Sequence, residues 1–131
     1  MLYEKTTGRT PSKAGQALEA AAKKNGMGVL TVHNLKETMA KKGVALSKEC
    51  LIYEVCNPVQ AQRVLEANGS IATALPCRIA IFQDGNQTKL STIRPTTLLA
   101  LYGSSDLAPV AQEVEQAIFA MIDEAAGSSA A

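Results

Sequence analysis

The sequence predicts an α+β domain, a two-layer sandwich in which a mostly antiparallel sheet carries helices packed on one face. Three observations predict it. Apolar stripes at helical spacing alternate with short runs rich in Val, Ile, Leu and Thr. The expected order, α-β-α-β-α-β-β-β-α, places adjacent strands together after the crossovers, which favours antiparallel pairing with the helices on one side. A chain of 131 residues fits one domain and can bury a normal core.

Residues 1–11 read as an N-terminal extension, polar and unpatterned through residue 9. The first helix is expected over Pro11 to Lys24, with Thr10 as cap, Pro11 at the first helical position and Ala14, Leu18, Ala21 and Ala22 as its apolar stripe. Asn25-Gly26 ends it. Gly28 to His33 reads as a strand. Asn34 starts a short helix with Glu37 three residues later, Leu35 and Met39 facing inward, and Gly43 as the stop. Cys50 to Val55 is the next strand. Asn57 caps the helix after it, Pro58 takes the first position, Gln60 completes a capping box, and Ala61, Val64 and Leu65 form the buried stripe.

Ser70 to Leu75 is expected as a strand, and Cys77 to Gln83 as another. Asp84-Gly85-Asn86 turns the chain into Thr88 to Ile93, the partner strand of a hairpin. Pro95 stops the sheet, a helical turn follows through Leu101, and the last helix covers Asp106 to Ala125 with a wide apolar face. Ser104-Ser105 reads as its cap. Residues 12–125 then form the domain and 126–131 a tail of small residues.

Composition narrows the function classes. The net charge is +1 and aromatics make up 4% of the chain. Neither a field that attracts nucleic acid or an anionic membrane nor a stacking surface for single strands is expected. The pairs Lys23-Lys24 and Lys41-Lys42 fall near helix C-termini, where they complement the helix dipole. No apolar run follows the N-terminal charges, and no stretch approaches the roughly 18 apolar residues of a membrane span. A cytoplasmic location with three reduced cysteines is the expectation.

The chemistry-bearing residues gather in two motifs, Cys56-Asn57-Pro58 and Pro76-Cys77-Arg78. Cys56 sits between a strand end and a helix start, where the dipole and free N–H groups favour a thiolate. Pro76 fixes the entry into the strand that begins with Cys77. Were the two strands neighbours, the sulfurs would share a pocket, with Arg78 and Arg94 able to supply positive charge. Alternation puts Glu54 on the strand face of Cys56, as base or acceptor. Against this, free cysteine is often only a small buried hydrophobe, the reading given to Cys50. His33 is the lone histidine and reads as structural or surface. With one His and no CxxC, a structural zinc site is not expected, and no phosphate-binding loop follows a strand.

The stretches Gly28-Val29-Leu30-Thr31, Tyr53-Glu54-Val55-Cys56-Asn57-Pro58-Val59-Gln60-Ala61, Leu75-Pro76-Cys77-Arg78-Ile79 and Ile93-Arg94-Pro95-Thr96 together resemble the domain-of-unknown-function 302 family, over roughly residues 12–124. The resemblance implies a compact α+β fold with a curved antiparallel sheet backed by helices, and a homodimer. It implies no settled activity. It gives weight to Cys56 and Cys77 as residues that matter, with Asn57 and Pro58 shaping the corner, and it lends none to His33 or Cys50.

Four readings follow. One is a binding or sensor module whose ligand-binding residues are Cys56, Asn57, Pro58, Cys77, Arg78 and Glu54, with Cys56 and Cys77 as ligands to haem or a soft metal ion. A second is a thiol redox or sulfur-handling protein using the same two cysteines. A third, an acid–base enzyme pairing Cys56 with Glu54 or His33, ranks last because nothing brings His33 to Cys56. The fourth is a structural or partner-binding homodimer whose cysteines only pack the interior. A non-enzymatic role is favoured, and no residue is assigned as catalytic.

Overall fold

A computed structural model describes residues 1–103 and 105–127. Five strands form one antiparallel sheet in the order β1-β5-β4-β3-β2, not closed into a barrel. They are β1 (Leu2–Thr7), β2 (Gly28–Asn34), β3 (Cys50–Cys56), β4 (Cys77–Asp84) and β5 (Gln87–Ile93). The helices are α1 (Pro11–Lys24), α2 (Leu35–Ala40), α3 (Pro58–Ala67), α4 (Pro95–Ala100) and α5 (Ala108–Ala126), with 3-10 turns at Gly69–Ala74 and Ser105–Leu107.

Local chemistry sets most boundaries. The Thr10 side chain accepts from the Lys13 N–H and Pro11 opens α1, so the first-turn donors are served and the fixed proline φ starts the helix. At the other end, Gly26 adopts φ +72°, which a Cβ would disfavour. Asn34 and Asn57 cap α2 and α3 in the same way, each accepting from the backbone N–H three residues on. Leu35 and Met39 of α2 are only half-buried. The β4–β5 hairpin closes at Gly85, with φ +65°.

The polar N-terminal residues, expected as an extension, are β1. Its pairing with β5 runs from Leu2↔Ile93 to Thr7↔Thr88. An edge strand of this kind needs few apolar side chains, and Tyr3 is its anchor. The Tyr3 ring stacks on Phe119 with centroids 3.8 Å apart, and its hydroxyl donates to Asp123 at 2.6 Å. Arg9 then reaches back and donates to the Ala125 carbonyl at 2.6 Å, a cation on the C-terminal carbonyls of α5.

Ser70 to Leu75, expected as a strand, lies in the 3-10 helix Gly69–Ala74. Only Ile71 of this segment is fully buried. The Asn68 side chain accepts from the Ser70 N–H and tightens the turn. For α5, the cap expected from Ser104-Ser105 is not found: Ser104 lies outside the described residues, Ser105 begins a 3-10 turn, and Leu107 holds the cap position without a side-chain bond.

The sheet shares one face with α1 and α5. Tyr53 and Val55 of β3, Ile79 and Ile81 of β4 and Leu90 of β5 point into this layer against Ala14, Leu18, Ile118, Met121 and Ile122. A second, smaller core joins α3, α4, the 3-10 turns and the start of α5 through Val64, Ile71, Leu99, Leu107, Val110 and Ala111. Cys50, expected in a core, is half-buried opposite Phe82 on the other sheet face. Among the described residues no helix is long and apolar enough to cross a membrane.

Helix α1 packs tightly on the sheet at Gly15, where an added Cβ would overlap the Tyr53 ring and hydroxyl. Gly→Ala inside a helix ordinarily gains up to about 1 kcal/mol. Here the overlap reverses the sign, and Gly15→Ala is expected to lose about 1–3 kcal/mol of stability by chemical denaturation. Unchanged or increased stability would mean that α1 does not pack against Tyr53 at this position.

Candidate functional site

The β3–β4 register places Val55 opposite Cys77 and Glu54 opposite Arg78. Side chains alternate across a sheet, so Cys77 joins Val55, Tyr53, Ile79 and Ile81 on the helix side. Cys56 ends β3, opposite Gly28 at the start of β2. Both cysteines line one cavity of about 40 Å³. Met27 and Val55 close it on the sheet side, Asn57, Gln60, Ala61 and Val64 on the α3 side, and Leu75, Pro95, Leu98, Leu99 and Val114 across from them. It therefore lies where the two cores meet.

Asn57 fixes the corner twice. Its Oδ1 accepts from the Gln60 N–H at 3.1 Å, and its Nδ2 donates to the Gly26 carbonyl at 3.2 Å. The start of α3 is thereby tied to the α1–β2 turn. Pro58 opens the helix from an exposed position outside the cavity. Gln60, expected to complete a capping box, fills only half of that role. Its backbone N–H is held by Asn57, while its Oε1 is buried without a hydrogen-bond partner among the described residues.

Glu54 and Arg78 leave the cysteine cavity. Glu54 Oε2 accepts from Arg78 Nε at 3.2 Å, and Glu54 Oε1 lies 3.4 Å from His33 Nε2. This group sits on the sheet face away from α1 and α5. Alternation does put Glu54 and Cys56 in phase, but it fails as a guide at the end of β3. There the facing strand carries a bulge between Val29 and Thr31, and bulges raise local twist. Arg94 lies over the Tyr3 and Phe119 rings and does not line the cavity. Neither His33 nor any carboxylate lines it, so Cys56 has no base within the cavity wall.

The thiols differ from the sequence expectation. Burial pushes the Cys56 thiol up, where the dipole of α3 was expected to lower it. Burial pushes Cys77 further, to about 11, with the neighbouring Cys56 adding to the rise. Desolvation outweighs the dipole here, where Pro58 brings no N–H to the first turn and the Gln60 N–H is held by Asn57. Both thiols are therefore protonated at neutral pH. Among the described residues no group of three or more His, Cys, Asp or Glu side chains converges. The site thus brings two neutral thiols to the wall of one small apolar cavity.

The sequence did not single out Met27, Leu75, Pro95, Leu98, Leu99 or Val114 as walls of this chamber. The last four belong to segments brought in from α4 and α5, for which local pattern carries no signal. Gln60 carried one, a polar residue on the inward side of α3 next to Ala61 and Val64.

A five-stranded antiparallel sheet with helices over one face and a thiol-lined cavity at the β3–α3 corner defines a small α+β two-layer domain. Residues 3–125 match the family model "Domain of unknown function DUF302", and the chain belongs to that family. It is similar to the crystal structure of an uncharacterized conserved DUF302 protein from Bacillus stearothermophilus, at 30% identity and a TM-score of 0.89, over 95% of this chain and 97% of that one. No curated protein matches the chain.

The raised thiol gives a measurable pH dependence. The fold favours the neutral form of Cys77, so the stability it contributes is complete below the ordinary value of 9.0 and is lost as pH rises toward about 11. The loss should amount to about 2–3 kcal/mol at about 1.4 kcal/mol per pH unit. Denaturation of the wild type and of Cys77→Ala across this window checks it. The variant should lack that slope, and an identical slope in both would place the titration elsewhere.

Proposed function

We propose that this chain is a small-ligand-binding domain whose ligand is a soft, thiophilic ion held between Cys56 and Cys77. The observation that carries this reading is that both cysteines line one small apolar cavity. Thiolates select soft ions such as Cu(I) over hard oxygen-seeking ones. Two thiols without a third ligand suit an ion that accepts linear coordination, and binding would release their protons. A cavity of about 40 Å³ matches a single ion better than a porphyrin. A redox role for the same pair is less well supported, because thiols pushed up by burial are poor nucleophiles at neutral pH.

Anaerobic titration with Cu(I) against a chromophoric chelator tests the proposal. The wild type should withdraw one equivalent. Cys56→Ser and Cys77→Ser should each weaken binding on the order of 100-fold or more, while Cys50→Ser leaves it unchanged. If the wild type competes no better than the double serine variant, the cysteines serve only to pack the interior.

We also propose a homodimer formed through the sheet face opposite α1 and α5. Ile52, Ala80 and Phe82 form a half-buried apolar strip there, beside the oppositely charged pair Glu54 and Arg78. A second copy offers the same strip and the same alternating charges, as a two-fold interface requires. Light scattering should give twice the chain mass, and Phe82→Glu should halve it. A monomeric wild type would refute the pairing.

A further inference from the structure

Cys77 stands in the partition between two chambers. On its other side lies a pocket of about 190 Å³. Ala74, Leu75, Cys77, Pro95 and Leu98 line both spaces, whereas Cys56 lines only the inner one. The outer pocket has a different chemistry. Thr73 and Thr92 border it, Arg78 is the one charged residue among the described residues that line it, and no carboxylate does.

The outer pocket exists because two strands part. Pairing of β4 with β5 runs from Asp84↔Gln87 only as far as Ala80↔Ser91, although β4 begins at Cys77 and β5 continues to Ile93. Over that stretch the Arg78 carbonyl is taken by the Thr92 hydroxyl at 2.7 Å in place of a ladder partner. Backbone edges that leave a ladder need other partners. Cys77, Arg78, Thr92 and Ile93 all line the pocket, so a molecule with amide groups finds an unpaired strand edge there.

Resting on the soft-ion reading above, we infer that the outer pocket is a subsite for a small amide-bearing thiol that exchanges the ion with Cys77. The carrier enters as its thiolate complex with the ion. The Cys77 sulfur bonds to the ion, the carrier sulfur leaves, and the Cys77 proton passes to it, so the carrier departs as a neutral thiol with no change of oxidation state. Cys56 then releases its proton to solvent and closes the linear pair inside the inner cavity.

Stopped-flow transfer of Cu(I) from its glutathione complex tests the order of events. The rate should saturate with carrier concentration, because docking precedes transfer. Thr73→Trp, at an exposed position on the pocket lip, should slow transfer at least about tenfold without changing the equilibrium affinity for Cu(I). A rate that rises linearly without saturation, or a Thr73→Trp protein that loads like the wild type, overturns the inference. Metal-free glutathione supplies the separate check, read from the backbone amide shifts of Thr73, Arg78, Thr92 and Ile93 in the metal-free wild type. Unmoved shifts overturn the thiol subsite even where Cu(I) binds. Moved shifts in a protein with no Cu(I) affinity support the subsite and instead refute the ion reading and its transfer step.

Discussion

Val55 lies opposite Cys77 in the β3–β4 ladder, and that pairing decides which side chains the sheet presents to its helices. Because the side-chain period of a strand is two, a slip of one residue would turn Cys77 out and bring Arg78 toward the core. The register is held from both sides. Tyr53, Val55, Ile79 and Ile81 are buried together under α1 and α5, while Glu54 and Arg78 pair on the opposite face. Reversing the register would bury the ion pair and expose four apolar side chains. The position of Cys77 is thus a consequence of how the hydrophobic core is satisfied.

Cys56 is placed by a different constraint, the turn from β3 into α3. Asn57 caps the helix and also donates to Gly26, so the corner is fixed against the end of α1 and not only along its own strand. Gly26 can approach because its positive φ carries no steric penalty there. The cavity is what remains where the sheet core meets the cluster built from α3, α4 and the start of α5. The two clusters leave a gap there, lined on one side by the small cysteine side chains. The same junction explains the buried Gln60 Oε1, since α3 must turn that residue inward to present Val64 to the smaller core.

Much of this was legible in the chain itself. Thr10-Pro11 and Asn25-Gly26 mark both ends of α1, and Asn57-Pro58 marks the start of α3, because caps and prolines act over a few residues. The two cysteine motifs stood out as well, but only the β3–β4 pairing brings them to one cavity. Strand β1 was not legible: its polar residues are ordered by pairing with β5, far along the chain, and by the Tyr3–Phe119 stack. Residues Ser70–Leu75 resembled a strand because a single buried Ile71 satisfies either pattern. Burial of the thiols depends on walls from Leu98, Leu99 and Val114, so the direction of their shift could not be read from the dipole of α3 alone.

The placement of charge in this fold bears on why the two sulfurs are left neutral. Arg78 is one residue from Cys77, and a guanidinium turned into the cavity would stabilise a thiolate there. The pleat sends it to the other face, where Glu54 holds it at 3.2 Å. Glu54 in turn lies 3.4 Å from His33, so the ionisable groups nearest in sequence to both cysteines are engaged with one another outside the chamber. Burial therefore makes ionisation of either thiol costly, with no charged side chain among the described residues lining the cavity to offset it.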